Sequence, residues 1–206
     1  MSSTFAELLA EPGVEEVLEL RSQFGFLAFH GGSLERTTDV VAAEAARRSG
    51  SSLYAVIQPD GLRRHLPSTE VRPEASPSLT VFLRHVRVAV AIHGYGREGS
   101  WTRLLLGGSN RPLARHVARE LAPVLPGYEL VHDLDDIPRE LRGIHPRNPV
   151  NLPVGGGVQL ELPPRVRGNT PHWAGWEGPG LPPPTEALVA GLAAAAGSWV
   201  TPDPAS

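Results

Sequence analysis

Apolar residues fall along this chain in two patterns: short continuous runs that stop at glycine or a polar turn, and longer stretches where they recur every three or four positions. The first pattern is that of a buried strand and the second that of a helix with one face on a sheet. Strands are expected over Phe24–Phe29, Leu53–Ile57, Val86–Ile92, Thr102–Leu106 and Val158–Leu162. The first four stop at His30-Gly31-Gly32, Gln58-Pro59-Asp60-Gly61, His93-Gly94 and Gly107-Gly108, and Gly155-Gly156-Gly157 precedes the last. Thr38 is placed to cap a helix through Arg48, and Ser76-Pro77 to open another to about His85, since proline is tolerated in a first turn. Pro112 to Leu125 is the longest helical pattern, with Leu113, Val117, Leu121 and Val124 on one face. Asn169 to Pro184, rich in Pro, Gly and Trp, reads as irregular before Thr185 starts a small-residue helix to about Trp199. Strands alternating with helices predict an α/β fold, with a mixed and mostly parallel sheet flanked by helices. No internal repeat divides the 206 residues, so one domain is expected, with its core at about 14–168 and a loop plus C-terminal helix over 169–206.

Composition narrows the function. Apolar residues at 41% and charged residues at 20% suit a folded globular chain rather than a disordered one. A net charge of -3 with no basic run gives no field to gather nucleic acid or an anionic membrane, so neither is an expected partner. No apolar run approaches the roughly 20 residues of a membrane helix. Met1 to Gly13 carries Glu7 and Glu11 and no secretory pattern, so a cytoplasmic location is expected. With no cysteine, thiolate chemistry is excluded, and histidine and carboxylate are left as the metal-ligating groups.

Two of the apolar runs end in histidine followed at once by glycine, at Phe29-His30-Gly31-Gly32 and Ile92-His93-Gly94-Tyr95-Gly96. Ligands of open α/β sheets bind beyond the carboxyl ends of strands, so both rings can face one crevice. Glycine beside them allows close backbone approach to a bound group. Glu35, on the turn after the first strand, completes a two-histidine, one-carboxylate set of the kind catalytic zinc uses. The competing reading of a strand-end histidine is a hydrogen-bonded structural residue. In Val158-Gln159-Leu160-Glu161-Leu162, alternation puts Gln159 and Glu161 on one face. That face is either solvated or turned toward a metal, where Glu161 would act as general base. The pattern alone does not choose.

The ordered set of His30-Gly31-Gly32-Ser33-Leu34-Glu35 with Thr38, Ala91-Ile92-His93-Gly94-Tyr95-Gly96, Gly107-Gly108, Asn148-Pro149-Val150-Asn151, Gly157-Val158-Gln159-Leu160-Glu161 and Arg167 resembles the bacterial and phage poly-gamma-glutamate hydrolase family. The resemblance implies a zinc enzyme with a carboxypeptidase-like α/β fold that cleaves gamma-glutamyl amide bonds. It implies zinc ligands at His30, Glu35 and His93, and a catalytic carboxylate at Glu161 working on metal-bound water. Two positions depart from the family pattern. Arg36-Thr37-Thr38 stands where the family has Pro-Gly-Thr, and Leu152 follows Asn151 where a basic residue is usual.

A peptide or gamma-glutamyl polymer is the expected partner, and arginine is its natural counterpart because the guanidinium fork matches a carboxylate. Arg167 is the first candidate, then Arg97 and Arg103, with Asn148 and Asn151 as amide donors to substrate. His65, His85, His116, His132, His145 and His172 lack the strand-end glycine setting and are expected in structural or surface roles, although His145 lies near the asparagine pair. Trp173 and Trp176 are expected to anchor a loop. The altered turn leaves room for a zinc amidohydrolase acting on N-acyl amino acids or cell-wall peptides, and a binding module that has kept the fold without activity is the third reading.

Overall fold

The computed structural model describes residues 4–169 and 176–200. Its strands are β1 (Glu15–Glu19), β2 (Phe24–Gly32), β3 (Ser52–Gln58), β4 (Val88–Gly94), β5 (Arg103–Leu106), β6 (Glu129–Val131) and β7 (Gly157–Leu162). They form one mixed sheet in the order β1-β3-β2-β4-β7-β5-β6. The centre is parallel: β2 pairs with β3 and β4, and β4 with β7. β1 joins β3, and β5 joins β7, in antiparallel fashion. The α-helices are α1 (Phe5–Leu9), α2 (Thr38–Ser49), α3 (Pro77–His85), α4 (Arg111–Leu121) and α5 (Pro183–Ser198).

Alternation along the strands sorts the core into two layers. Phe26, Ala28, Val90, Ile92, Val158, Leu160 and Leu162 face one side and are buried with residues of α2, α4 and α5. Leu27, Phe29, Tyr54, Ala89 and Ala91 face the other, under Leu79 and Phe82 of α3 and Phe5 and Leu8 of α1. Helices α3 and α4 are capped by side chains of their own sequence. Ser76 caps α3 by accepting from the Leu79 amide at 2.8 Å, and Asn110 caps α4 by accepting from the Leu113 amide at 2.8 Å. Because α2 connects β2 to β3 on one face and α3 connects β3 to β4 on the other, the chain reverses its direction of advance at β2. That reversal opens a crevice beyond the carboxyl ends of β2 and β4.

Several expectations change in detail. The two histidine-bearing strands run on to Gly32 and Gly94, so His30 and His93 are strand residues rather than turn residues. β1 and β6, both edge strands, carry Glu15, Glu16, Glu19 and Glu129, a charge density that hides strand character but suits an edge. Helix α4 stops at Leu121 instead of Leu125, since Pro123 has no N–H to continue the ladder. Thr38 does not cap α2. It is the first helical residue, and its hydroxyl donates to the Glu35 carbonyl at 2.8 Å. The cap position belongs to Thr37, which holds φ 77°, a left-handed conformation that glycine adopts without cost and threonine does not. The resemblance puts glycine at this position, and the backbone here holds the conformation that glycine favours. His172 and Trp173 lie outside the described residues.

Candidate active site

Strict alternation from Phe26 and Ala28 would send His30 to the side of the sheet away from His93. The pairing of β2 with β3 breaks between Ala28 and Gly31, and this irregularity turns His30 back toward the crevice. The His30 and His93 ring centroids are 5.1 Å apart, with the planes near perpendicular. Both rings are buried, at 2% and 3% exposure. Glu35 reaches them from the turn after β2, with Oε1 2.8 Å from His30 Nδ1 and Oε2 3.7 Å from His93 Nδ1. The Gly94 amide donates to Glu35 Oε2 at 2.8 Å and fixes the carboxylate. One ligand atom from each of His30, Glu35 and His93 falls within 4.8 Å of the others.

Glu161 enters from β7, in register with His93 on β4, so the two side chains share a face. It is 4% exposed and Gln159 is 5% exposed, so the solvated reading of this face does not hold. A chain of amides holds the carboxylate: Asn148 Nδ2 donates to Gln159 Oε1 at 2.7 Å, and Gln159 Nε2 donates to Glu161 Oε1 at 2.7 Å. These groups line a cavity of about 620 Å³ together with His65, Tyr95, Arg139 and His145. A larger groove of about 860 Å³ lies elsewhere, by Arg115, Tyr128 and Trp199, but holds none of the converging set.

The electrostatics follow from burial and crowding. Burial would raise the Glu35 carboxyl, but His30 and then His93 outweigh it and hold it well below the usual carboxylate range. Burial lowers His93, yet the facing Glu35 and Glu161 carboxylates leave it above the ordinary imidazole value. Glu161 is raised, by burial first and by the Glu35 charge, against the opposing pull of His93, Gln159 and His30. His65, whose ring centroid is 4.8 Å from that of His30, is lowered by burial and by its histidine neighbours.

A raised folded value means that the stability this carboxyl contributes is full below its unfolded value of about 4.3 and is lost as pH rises through the folded value. In metal-free protein, Glu161→Gln is therefore expected to gain stability over the wild type across that window. The gap should be smallest near pH 4 and largest at neutrality. Denaturation midpoints of both metal-free proteins between about pH 4 and about pH 8 measure it, and a pH-independent gap would mean that Glu161 titrates at its ordinary value.

The other candidates are placed differently from one another. Arg167 is 8% exposed; its Nε donates to the Leu162 carbonyl at 3.1 Å and its Nη1 to the Arg36 carbonyl at 2.9 Å. Arg97 pairs with Glu140, and Arg103 Nε pairs with Glu129 at 2.9 Å; neither arginine lines the cavity. Asn148 lines it, but both its amide hydrogens are taken, by Gln159 and by the Gly143 carbonyl at 3.2 Å. Asn151 donates to the Gly143 and His145 carbonyls at 2.8 and 3.0 Å and accepts from the Ser109 amide at 2.9 Å, so it pins a loop. The glycines after His30 serve the sheet rather than a ligand: a Cβ at Gly32 would lie 2.1 Å from the Gln58 carbonyl oxygen. His85 bonds the Arg21 carbonyl and His116 the Ala195 carbonyl, both in structural roles. His65 and Arg139 line the cavity without having been marked by the sequence, and no periodic signal in their segments points to them.

The fold is a mixed α/β sheet whose strand ends bring His30, Glu35, His93 and Glu161 to one cavity. The chain matches the poly-gamma-glutamate hydrolase family model over residues 3–170 and belongs to that family. Among solved structures it is similar to a bacteriophage poly-gamma-glutamate hydrolase, at 23% identity and a TM-score of 0.71, covering 88% of this chain and 87% of that one. It is also similar to YNDL in its apo, zinc-free form, at 23% identity and a TM-score of 0.64, covering 75% and 73%. A metallo-carboxypeptidase from Burkholderia cenocepacia shares the fold at 10% identity and a TM-score of 0.52, covering 91% of this chain and 65% of that one. Comparison with curated sequences finds no match. Among the described residues no helix is long and apolar enough to cross a membrane.

Proposed function

We propose that this hydrolase is zinc-dependent and cleaves gamma-glutamyl amide bonds, with His30, Glu35 and His93 as the metal ligands and Glu161 as the general base. The observation that carries the reading is the convergence of that donor set beside a buried carboxylate in one cavity. The hydrogen-bonding of the histidines fits a cation. His30 Nε2 lies 2.9 Å from the Leu66 carbonyl, which only accepts, so Nε2 carries a proton, and in the neutral ring Nδ1 is then the lone-pair nitrogen that faces Glu35 Oε1 at 2.8 Å. Those two acceptors are reconciled by a metal ion between them, as they are by a second proton on the ring when no metal is bound. His93 Nε2 is buried with no hydrogen-bond partner among the described residues, and its Nδ1 is beyond hydrogen-bond distance from Glu35. Two imidazoles and a carboxylate are the donor chemistry of catalytic zinc.

When bound, zinc supplies Lewis acidity that activates water and polarises a carbonyl. The chain supplies the rest. Glu161 accepts a proton from the attacking water and returns it to the leaving amine, while Gln159, held by Asn148, keeps the other carboxylate oxygen in place. The polymer substrate is read from family membership.

Purified protein is expected to carry zinc, to cleave poly-gamma-glutamate and not alpha-linked polyglutamate, and to lose and regain activity on chelation and zinc addition. Full activity after exhaustive chelation ends the metal reading, and cleavage confined to other amides ends the substrate reading.

A further inference from the structure

A second cavity of about 440 Å³ is lined by three arginines, Arg36, Arg63 and Arg167, with Ser33 and Asn169 among them, and by no acidic side chain. It adjoins the catalytic one. Gly94 lines the catalytic cavity and holds Glu35 through its amide, and the Arg167 guanidinium stands against Gly94 so closely that a Cβ there would lie 2.8 Å from Cζ. Arg167 is fixed from behind by the Leu162 and Arg36 carbonyls, and its Nη2 has no partner among the described residues. Arg36 and Arg63 are exposed, and among the described residues neither side chain meets a carboxylate. By contrast Arg97 and Arg103 are each paired with a glutamate. Three guanidinium forks thus line one hollow, and each matches a carboxylate in geometry.

We infer that the Arg36, Arg63 and Arg167 cavity is an anion-binding subsite that takes a free carboxylate of the substrate chain, beyond the residue whose amide enters the catalytic cavity. This rests on the polymer reading above. A gamma-linked glutamate chain carries one free carboxylate per residue, so a chain lying across Gly94 presents an amide to Glu161 and a neighbouring carboxylate to the arginines. The subsite selects for long polyanionic chains over single gamma-glutamyl amides.

The test uses Arg36→Gln/Arg63→Gln, which changes two exposed side chains and leaves Arg167 and the catalytic set intact. Fluorescence anisotropy of a labelled gamma-linked glutamate oligomer on metal-free protein gives binding without turnover, and zinc-loaded enzyme gives KM and kcat. The double variant is expected to bind the oligomer about tenfold more weakly and to show a similar rise in KM, with kcat unchanged and a single gamma-glutamyl amide hydrolysed as by the wild type. The difference should shrink at high salt. Unchanged oligomer binding and KM overturn the subsite, as does an equal loss on long and short substrates. Inorganic phosphate displacing the oligomer at comparable concentration makes this a small-anion site and overturns the polymer reading of it. If the enzyme cleaves no gamma-glutamyl bond yet binds the oligomer through these arginines, the subsite stands and the assigned bond falls.

Discussion

Glu161→Gln is expected to lower kcat by roughly 10²–10⁴ while leaving zinc content and fold nearly unchanged. The substitution is almost isosteric, and the amide keeps an oxygen to accept from Gln159 Nε2, so the Asn148-Gln159 chain survives. What is lost is a group able to hold a proton between attack and departure of the amine. Because Glu161 is absent from the converging donor set, metal binding should persist. KM should move little, so the loss appears in turnover. Metal analysis with steady-state kinetics on poly-gamma-glutamate measures both quantities. Wild-type turnover, or loss of zinc, would show that the carboxylate has another role. The expected gain in metal-free stability at neutral pH makes the contrast sharper: a variant that folds better and works worse marks a site under functional strain.

The parts of this site that were legible in the sequence are those written locally. A buried strand that ends in His-Gly announces itself through the abrupt change from apolar to polar, and His30, His93 and Glu35 all sit at such a boundary. What pairs with what is not local. Gln159 and Glu161 alternate with leucines in a way that suits a wet face or a buried one, and it is the pairing of β7 with β4 that puts Glu161 beside His93. The break in β2 that turns His30 to the right side is also invisible, because it depends on how β2 meets β3. His65 arrives on a loop whose Leu66 carbonyl receives His30 Nε2, a contact across 36 positions. Arg97 and Arg103 looked available near His93, but Glu140 and Glu129 reach them from distant segments. Local chemistry marked the donors, and long-range pairing decided which of them meet.

His93→Ala is expected to abolish both activity and the stabilisation that zinc confers. A ligand that binds only the folded state raises stability by mass action, about 2.7 kcal/mol at a hundredfold excess over its dissociation constant. Wild-type protein should therefore unfold at a higher temperature with zinc than without. Removal of a direct ligand should weaken affinity by more than the 10–100-fold typical of losing an outer partner, which carries the variant out of the useful zinc range. Without metal, the variant should be less stable than the wild type, because the ring that Glu35 and Glu161 hold above its ordinary value is lost. Its loss also removes packing against Phe29 and His30, and with it a buried nitrogen that has no hydrogen-bond partner among the described residues. Glu35 retains the Gly94 amide and the His30 ring, so it is not stranded. Thermal unfolding of both proteins with and without zinc separates the two effects. A variant that keeps the wild-type zinc shift would remove His93 from the ligand set, and a variant that fails to fold without metal would make His93 a structural residue first.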